Sequence, residues 1–133
     1  MKITLERVNN QYAVEATNET GKSTLIDGGG SALSPMQSLL SAVAACTVVD
    51  IVDILKKQKQ ELTTIKIEAS GEREQIEMIK PFKSIHIHYK LYGNIDEKKG
   101  QRAIDLAFNK YCSVSASLSK EIKKTFSFEI INE

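Results

Sequence analysis

This chain has almost no excess of charge of either sign. Its 133 residues carry 18 Lys and Arg against 17 Asp and Glu, a formal net charge of +1. An electrostatic grip on nucleic acid needs a basic surplus, so no nucleic-acid partner is expected. The densest basic run, Lys56-Lys57-Gln58-Lys59, reads as cations at a helix C-terminus, where the helix dipole favours them. Cysteine is equally scarce, with only Cys46 and Cys112. The opening M-K-I-T-L-E-R turns polar before an apolar signal region can form. Two cysteines without a secretory leader read as thiols of a reducing compartment, not as a disulfide framework, and a cytoplasmic location is expected. Repeats, low-complexity tracts and interdomain linkers are also lacking. A composition of 41% apolar and 26% charged residues is ordinary for a globular protein. A single domain over residues 1–133 is expected, long enough to bury roughly two thirds of its unfolded surface.

What is present is one long apolar stretch, Ser34 to Leu55. Its start carries helix-initiating chemistry. Ser34 is placed to cap the first free N–H groups, Pro35 suits the first helical position, and Gln37 can reach back to complete a capping box. Leu39, Leu40, Val43, Val48, Val49, Ile51, Val52, Ile54 and Leu55 then spread apolar surface around every side. Such a helix is buried in a core or spans a membrane. Ser38, Ser41, Asp50 and Asp53 interrupt the run, so a buried helix of a soluble protein is expected and no membrane partner. Cys46 lies in its middle.

Before this helix, residues 2–8, 12–16 and 22–27 form three short strands, separated by the turn signals Asn9-Asn10 and Asn18-Glu19-Thr20-Gly21. Gly28-Gly29-Gly30 lacks the spaced lysine of a phosphate-binding loop and reads as a flexible lead into the helix. After it, Ile65, Ile67 and Ala69 alternate. The chain turns near Lys80-Pro81, and Phe82, Ile85, Ile87, Tyr89 and Leu91 resume an apolar face of a long hairpin. Gly93-Asn94 ends that hairpin, and Asp96 can cap a second helix in which Ile104, Ala107, Phe108 and Tyr111 recur. Serines after Cys112 can cap a short third helix with Val114 and Leu118 facing inward, and Thr125 to Ile131 alternates as a closing strand. The order βββ-α-ββ-α(α)-β gives an α+β fold, mostly antiparallel sheet packed on the central helix.

Chemistry centres on the two cysteines. A thiolate is reactive when a cation or a helix N-terminus lowers its pKa, and unreactive when it is merely buried. Cys46 lies about three turns into its helix, beyond help from the N-terminal dipole, and Asp50 one turn on opposes ionisation. A cation must come from elsewhere, and Arg7, Arg73 and Arg102 are the only arginines. Cys112 is better placed, since a helix starting at Ser113 points free amides toward the sulfur. His86 and His88, the only histidines, share the polar face of their strand and read as solvent-facing residues; no metal is expected. The tyrosines read as packing or interface residues.

The motif S-P-M-Q-S-L-L-S-A-V-A-A-C-T-V-V-D, followed downstream by K-Y-C-S-V-S-A-S-L, resembles the OsmC/Ohr family of osmotically inducible and organic hydroperoxide resistance proteins. The resemblance covers essentially the whole chain. It is nearest the branch with S-P-M at the helix start and Y-C-S-V at the second cysteine. It implies an intertwined homodimer and thiol-dependent reduction of organic hydroperoxides without a cofactor. Cys46 matches the peroxidatic cysteine, and Cys112 the resolving cysteine that condenses with its sulfenic acid. A lipoyl-like dithiol restores both. In active relatives a glutamate after the proline orients an arginine of the N-terminal hairpin onto the thiolate. Here Met36 holds that position beside Pro35 and Gln37, and Arg7 is the only arginine of the N-terminal region. The same resemblance leaves open a non-catalytic member, one that binds a small lipophilic ligand in the apolar cleft or uses its thiols as a redox sensor.

Overall fold

The computed structural model describes residues 1–132. The elements run β1 (Ile3–Arg7), β2 (Ala13–Asn18), β3 (Ser23–Asp27), α1 (Pro35–Lys57), β4 (Glu61–Arg73), β5 (Phe82–Asn94), α2 (Glu97–Leu106), α3 (Ser113–Ala116) and β6 (Lys123–Ile131). This is the α+β order read from the sequence. The chain packs as two compact units, Met1–Leu39 and Leu40–Glu133, with α1 running from the first into the second.

The first unit is an antiparallel meander, β1-β2-β3. Ile3 and Leu5 alternate as expected but are 52% and 55% exposed, so much of the apolar face of β1 is uncovered. The triple-glycine segment is not the loose connection the sequence suggested. Asp27 is almost wholly buried and accepts the N–H groups of Gly29 (2.7 Å) and Ser31 (3.2 Å) together with the Ser31 hydroxyl. The Ser31 hydroxyl and the Gly29 amide hold this carboxyl below its ordinary pKa. A side chain at position 29 would be crowded: a Cβ there would stand 3.1 Å from Asp27 Oδ1. The capping box forms as read, with the Ser34 N–H donating to Gln37 Oε1 (2.9 Å) and the Gln37 N–H to Ser34 Oγ (3.1 Å).

The second unit places β5 between β4 and β6. β4 and β5 form the expected hairpin, and the sheets are mostly antiparallel as expected, with one parallel pairing, β6 beside β5. The reason is the connection: α2 and α3 form a helical crossover, which is what lets two strands run the same way. Period two sends Ile85, Ile87, Tyr89 and Leu91 to one face, where each is buried. Ala103, Ile104, Ala107 and Phe108 are buried with them, and the Phe108 and Phe126 rings meet at 5.2 Å. Gly100 allows α2 to come close, because a Cβ there would already touch Ile130, Leu91 and Ile95 at 3.3–3.5 Å. Asp96 caps α2 by accepting the Lys99 N–H at 3.1 Å.

α1 corrects a second expectation. Only Val43, Ala44, Thr47, Ile51 and Leu55 are buried, a stripe at helical spacing, while Val49 is 64% and Val52 40% exposed. The helix is therefore half buried, because one chain supplies a sheet for only one of its faces. By length and composition α1 would also cross a membrane, a test that core helices of soluble proteins pass as well.

Candidate functional site

The site lies wholly within the second unit, where α1 meets β5 and the end of α2. After Leu106 the helix widens into a π-helical stretch, Ala107–Tyr111, and at Cys112 the backbone turns extended (φ −76°, ψ 101°) before α3 begins. Cys112 itself is the cap of α3. The role expected of the neighbouring serines falls to the sulfur, which accepts the Ser115 N–H at 3.3 Å. The thiol is 5% exposed and faces the Val43 carbonyl of α1, with Sγ 3.9 Å from that oxygen.

Cys46, one turn after Val43 on α1, is half-buried and lies close enough to the Cys112 thiol to raise its pKa. The fold thus brings together two free thiols that are 66 positions apart in the chain. The Cys112 thiol is pushed above its ordinary pKa. Burial is the largest cause, opposed by the Ser115 and Val114 amides and reinforced by the Cys46 sulfur. The amides do point at the sulfur, as the position of the helix predicted. Desolvation outweighs them, because an N-cap stabilises a thiolate only by a partial charge, whereas loss of water penalises the whole charge.

Two further residues complete the cluster, and sequence reasoning assigned neither to the site. Thr47, next to Cys46, is fully buried; its hydroxyl donates to the Ala44 carbonyl at 2.7 Å. Because that donor is used, the 2.8 Å contact between Thr47 Oγ1 and the Tyr89 hydroxyl has Tyr89 as donor. Tyr89 is fully buried, and its pKa is pushed up to about 12. Burial is the main cause, the Thr47 contact opposes it, and the two nearby sulfurs add to it. The available signal was a lone phenol on the apolar face of β5, since a buried tyrosine hydroxyl needs a partner.

The other expected site residues lie in the first unit. Arg7 ends β1 opposite Val14, and Pro35, Met36 and Gln37 form the first turn of α1. Neither ion pair among the described residues involves Arg7. His86 and His88 are half-buried rather than free in solvent: Ser127 Oγ sits 2.9 Å from His86 Nε2 and 2.7 Å from His88 Nδ1, and Thr125 Oγ1 lies 2.7 Å from His86 Nδ1. Among the described residues no group of three or more His, Cys, Asp or Glu side chains is placed to hold a metal ion.

Known proteins bear on this geometry. The family described as OsmC-like protein matches residues 28–127. Protein YhfA of Escherichia coli strain K12 is 34% identical over 115 residues, covering 84% of this chain and 85% of its own. A crystal structure of a hypothetical protein from Aquifex aeolicus VF5 superposes with a TM-score of 0.88 at 30% identity, over 99% of this chain and 96% of that one. The organic hydroperoxide resistance protein OhrB of Bacillus subtilis shares the fold at a TM-score of 0.69 and 17% identity, with 97% and 98% of the two chains covered.

Proposed function

This chain belongs to the OsmC-like protein family, and we propose that within it the protein is a thiol peroxidase for organic hydroperoxides. The observation that carries the reading is the pairing of Cys46 and Cys112: two free thiols near enough to influence each other, one half-buried and the other buried. In the first step the Cys46 thiolate attacks the terminal peroxide oxygen. An S–O bond forms and the O–O bond breaks. The alkoxide takes up a proton and leaves as the alcohol, and Cys46 becomes a sulfenic acid. Cys112 then attacks that sulfur, and its proton leaves with the hydroxyl group as water, giving the Cys46–Cys112 disulfide. A dithiol of lipoyl type returns both thiols by exchange and closes to its own cyclic disulfide. No cofactor takes part.

Arg7 is the cation assigned to Cys46 in this reading, working beside Pro35, Met36 and Gln37 at the helix start. A dimer accounts for the uncovered stripe of Ala45, Val49 and Val52 on α1, three small or apolar residues at helical spacing. The working compartment is the cytoplasm, where exchange keeps thiols reduced. Met36 supports a second reading, since a methionine cannot orient a cation as a carboxylate does. In that reading the protein is a non-catalytic member that binds a small lipophilic molecule or acts as a stoichiometric thiol sensor.

Intact mass after one equivalent of cumene hydroperoxide separates the peroxidase from the ligand binder, and repeated turnover of excess peroxide in the presence of a dithiol separates it from the sensor. Peroxidase chemistry removes two hydrogens from the wild type within seconds, adds one oxygen to Cys112→Ser and leaves Cys46→Ser unchanged. A wild-type mass that stays constant for minutes in excess peroxide rejects the peroxidase.

A further inference from the structure

Strand β6 carries a lysine on its apolar side. Its residues alternate, with Lys123, Thr125, Ser127 and Glu129 on one face and Lys124, Phe126, Phe128 and Ile130 on the other. Lys124 pairs in register with the buried Ile85 and is itself half-buried, whereas Lys123 beside it is exposed. An ammonium drawn out of water is costly unless polar partners replace that water. Here one residue supplies them: Lys124 Nζ donates to the Ser115 carbonyl oxygen and to Ser115 Oγ at 3.0 Å each. Neither ion pair among the described residues involves Lys124. Ser115 in turn gives its N–H to Cys112 Sγ at 3.3 Å. The contacts form a continuous path from the sheet, through one serine, to one sulfur. That serine belongs to α3, a helix of four residues and too short to hold its shape by backbone bonds alone.

We infer that Lys124 is a positioning residue for Cys112: it clamps Ser115 so that the serine amide stays on the sulfur. The consequence for catalysis rests on the two-cysteine reading above, to which this adds a residue. Cys112 resolves the sulfenic acid as a thiolate. Its sulfur displaces hydroxide from Cys46, so that the S–O bond breaks, the S–S bond forms, and the hydroxide takes up a proton to leave as water. Burial opposes that thiolate, and the Ser115 amide is the first of the two amides that favour it. Without the clamp α3 is free to fray, the amide turns away, and burial is left with less to oppose it. The titratable groups facing Cys112 are Cys46 on α1, Tyr89 on β5 and Lys124 on β6. Lys110 and Lys120 complete the set, lining with Lys124, Ser115 and Cys112 a hollow of about 310 Å³.

The test needs no peroxide. In a Cys46→Ser background Cys112 is the sole cysteine, and the pH dependence of its Cβ chemical shift, in protein labelled at that carbon, reads the thiolate fraction. Deuterium exchange of the Ser115 amide reads the clamp. Lys124→Met keeps an apolar stem of similar length and removes the ammonium. It should lower the thiolate fraction at a fixed pH by about tenfold, the worth of one hydrogen bond to a charged group. Exchange of the Ser115 amide should quicken by a similar factor. Lys124→Arg, which can still donate to both Ser115 oxygens, should restore both readings, and Lys123→Met, on the opposite face of the strand, should change neither. Should Lys124→Met fail to fold, Lys124→Gln, whose side chain is shorter and uncharged, takes its place with the same two changes expected. An unmoved Cβ titration overturns the inference, since a strap that only stabilised the fold would shift urea unfolding alone. A titration that moves while the Ser115 amide stays protected overturns it as well, because the charge would then act on the sulfur directly. A wild type inert to peroxide rejects the peroxidase reading and leaves both measurements on Cys112 to decide the role of Lys124.

Discussion

Cys46 and Cys112 are the same side chain in opposite settings. Cys46 stands in the middle of a helix, half-exposed, with Asp50 one turn away and no free amide to face. Cys112 sits at a helix start with the Ser115 amide on its sulfur, yet it is buried and its thiol is raised. Favourable local geometry thus leaves the Cys112 thiol above its ordinary pKa. Solvent access outweighs the local amides at this site, and it divides the labour: an accessible thiol meets peroxide, and a protected one waits to resolve it.

The largest expected effect comes from erasing that division. Cys46→Ser should abolish peroxide consumption, and Cys112→Ser should still consume one equivalent but stop there. A xylenol-orange assay of residual peroxide reads the difference, and equal turnover in the two variants would break the comparison. Next in size is the support beneath the pair. Thr47→Val leaves the Tyr89 hydroxyl buried without its acceptor and should cost about 1–3 kcal/mol in urea unfolding. Tyr89→Phe removes the donor instead, and Thr47 keeps its bond to the Ala44 carbonyl; the loss should be about 1 kcal/mol. The reverse order would mean that Thr47 does not accept from Tyr89.

Alkaline pH tests the burial of both groups. Their folded pKa values lie above the unfolded ones, so between the two values the folded chain holds protons that the unfolded chain has lost. Stability is then fully present below the ordinary thiol and phenol pKa values and falls as pH rises through the raised ones, for Tyr89 between about 10 and about 12. Tyrosinate absorbance should show one of the four tyrosines ionising only at the top of that range, together with unfolding. The smallest effect concerns Cys112 alone: in Cys46→Ser, alkylation of Cys112 should require a more alkaline solution than a free thiol does. Labelling at neutral pH as fast as a model thiol would show that the Ser115 amide, not burial, sets its reactivity.

Much of this was legible in the chain because it depends on neighbours in sequence. The Ser34–Gln37 capping box, the Asp96 cap, the alternating face of β5 and the turn at Lys80-Pro81 are local arrangements, fixed by side-chain reach and by periods of 3.6 and 2. The two cysteines and their order stood out for the same reason, once the motifs around them were read together. Other features were not legible. The parallel pairing of β5 with β6 depends on where a helical crossover lays its strand. The anchoring of Gly28–Gly30 depends on Asp27 folding back on its own loop. The half-exposure of α1 depends on how much sheet a single chain can offer a helix that is apolar all round.

The sequence by itself determined the elements, their order and the presence of two thiols on or beside helices, since each is set by a few consecutive residues. Only the tertiary structure decided that the thiols meet, that Thr47 and Tyr89 form a buried pair behind them, and that three lysines from separate segments surround one hollow. Burial is the physical reason: whether a side chain keeps its water is a property of everything packed around it, and no local spacing records that.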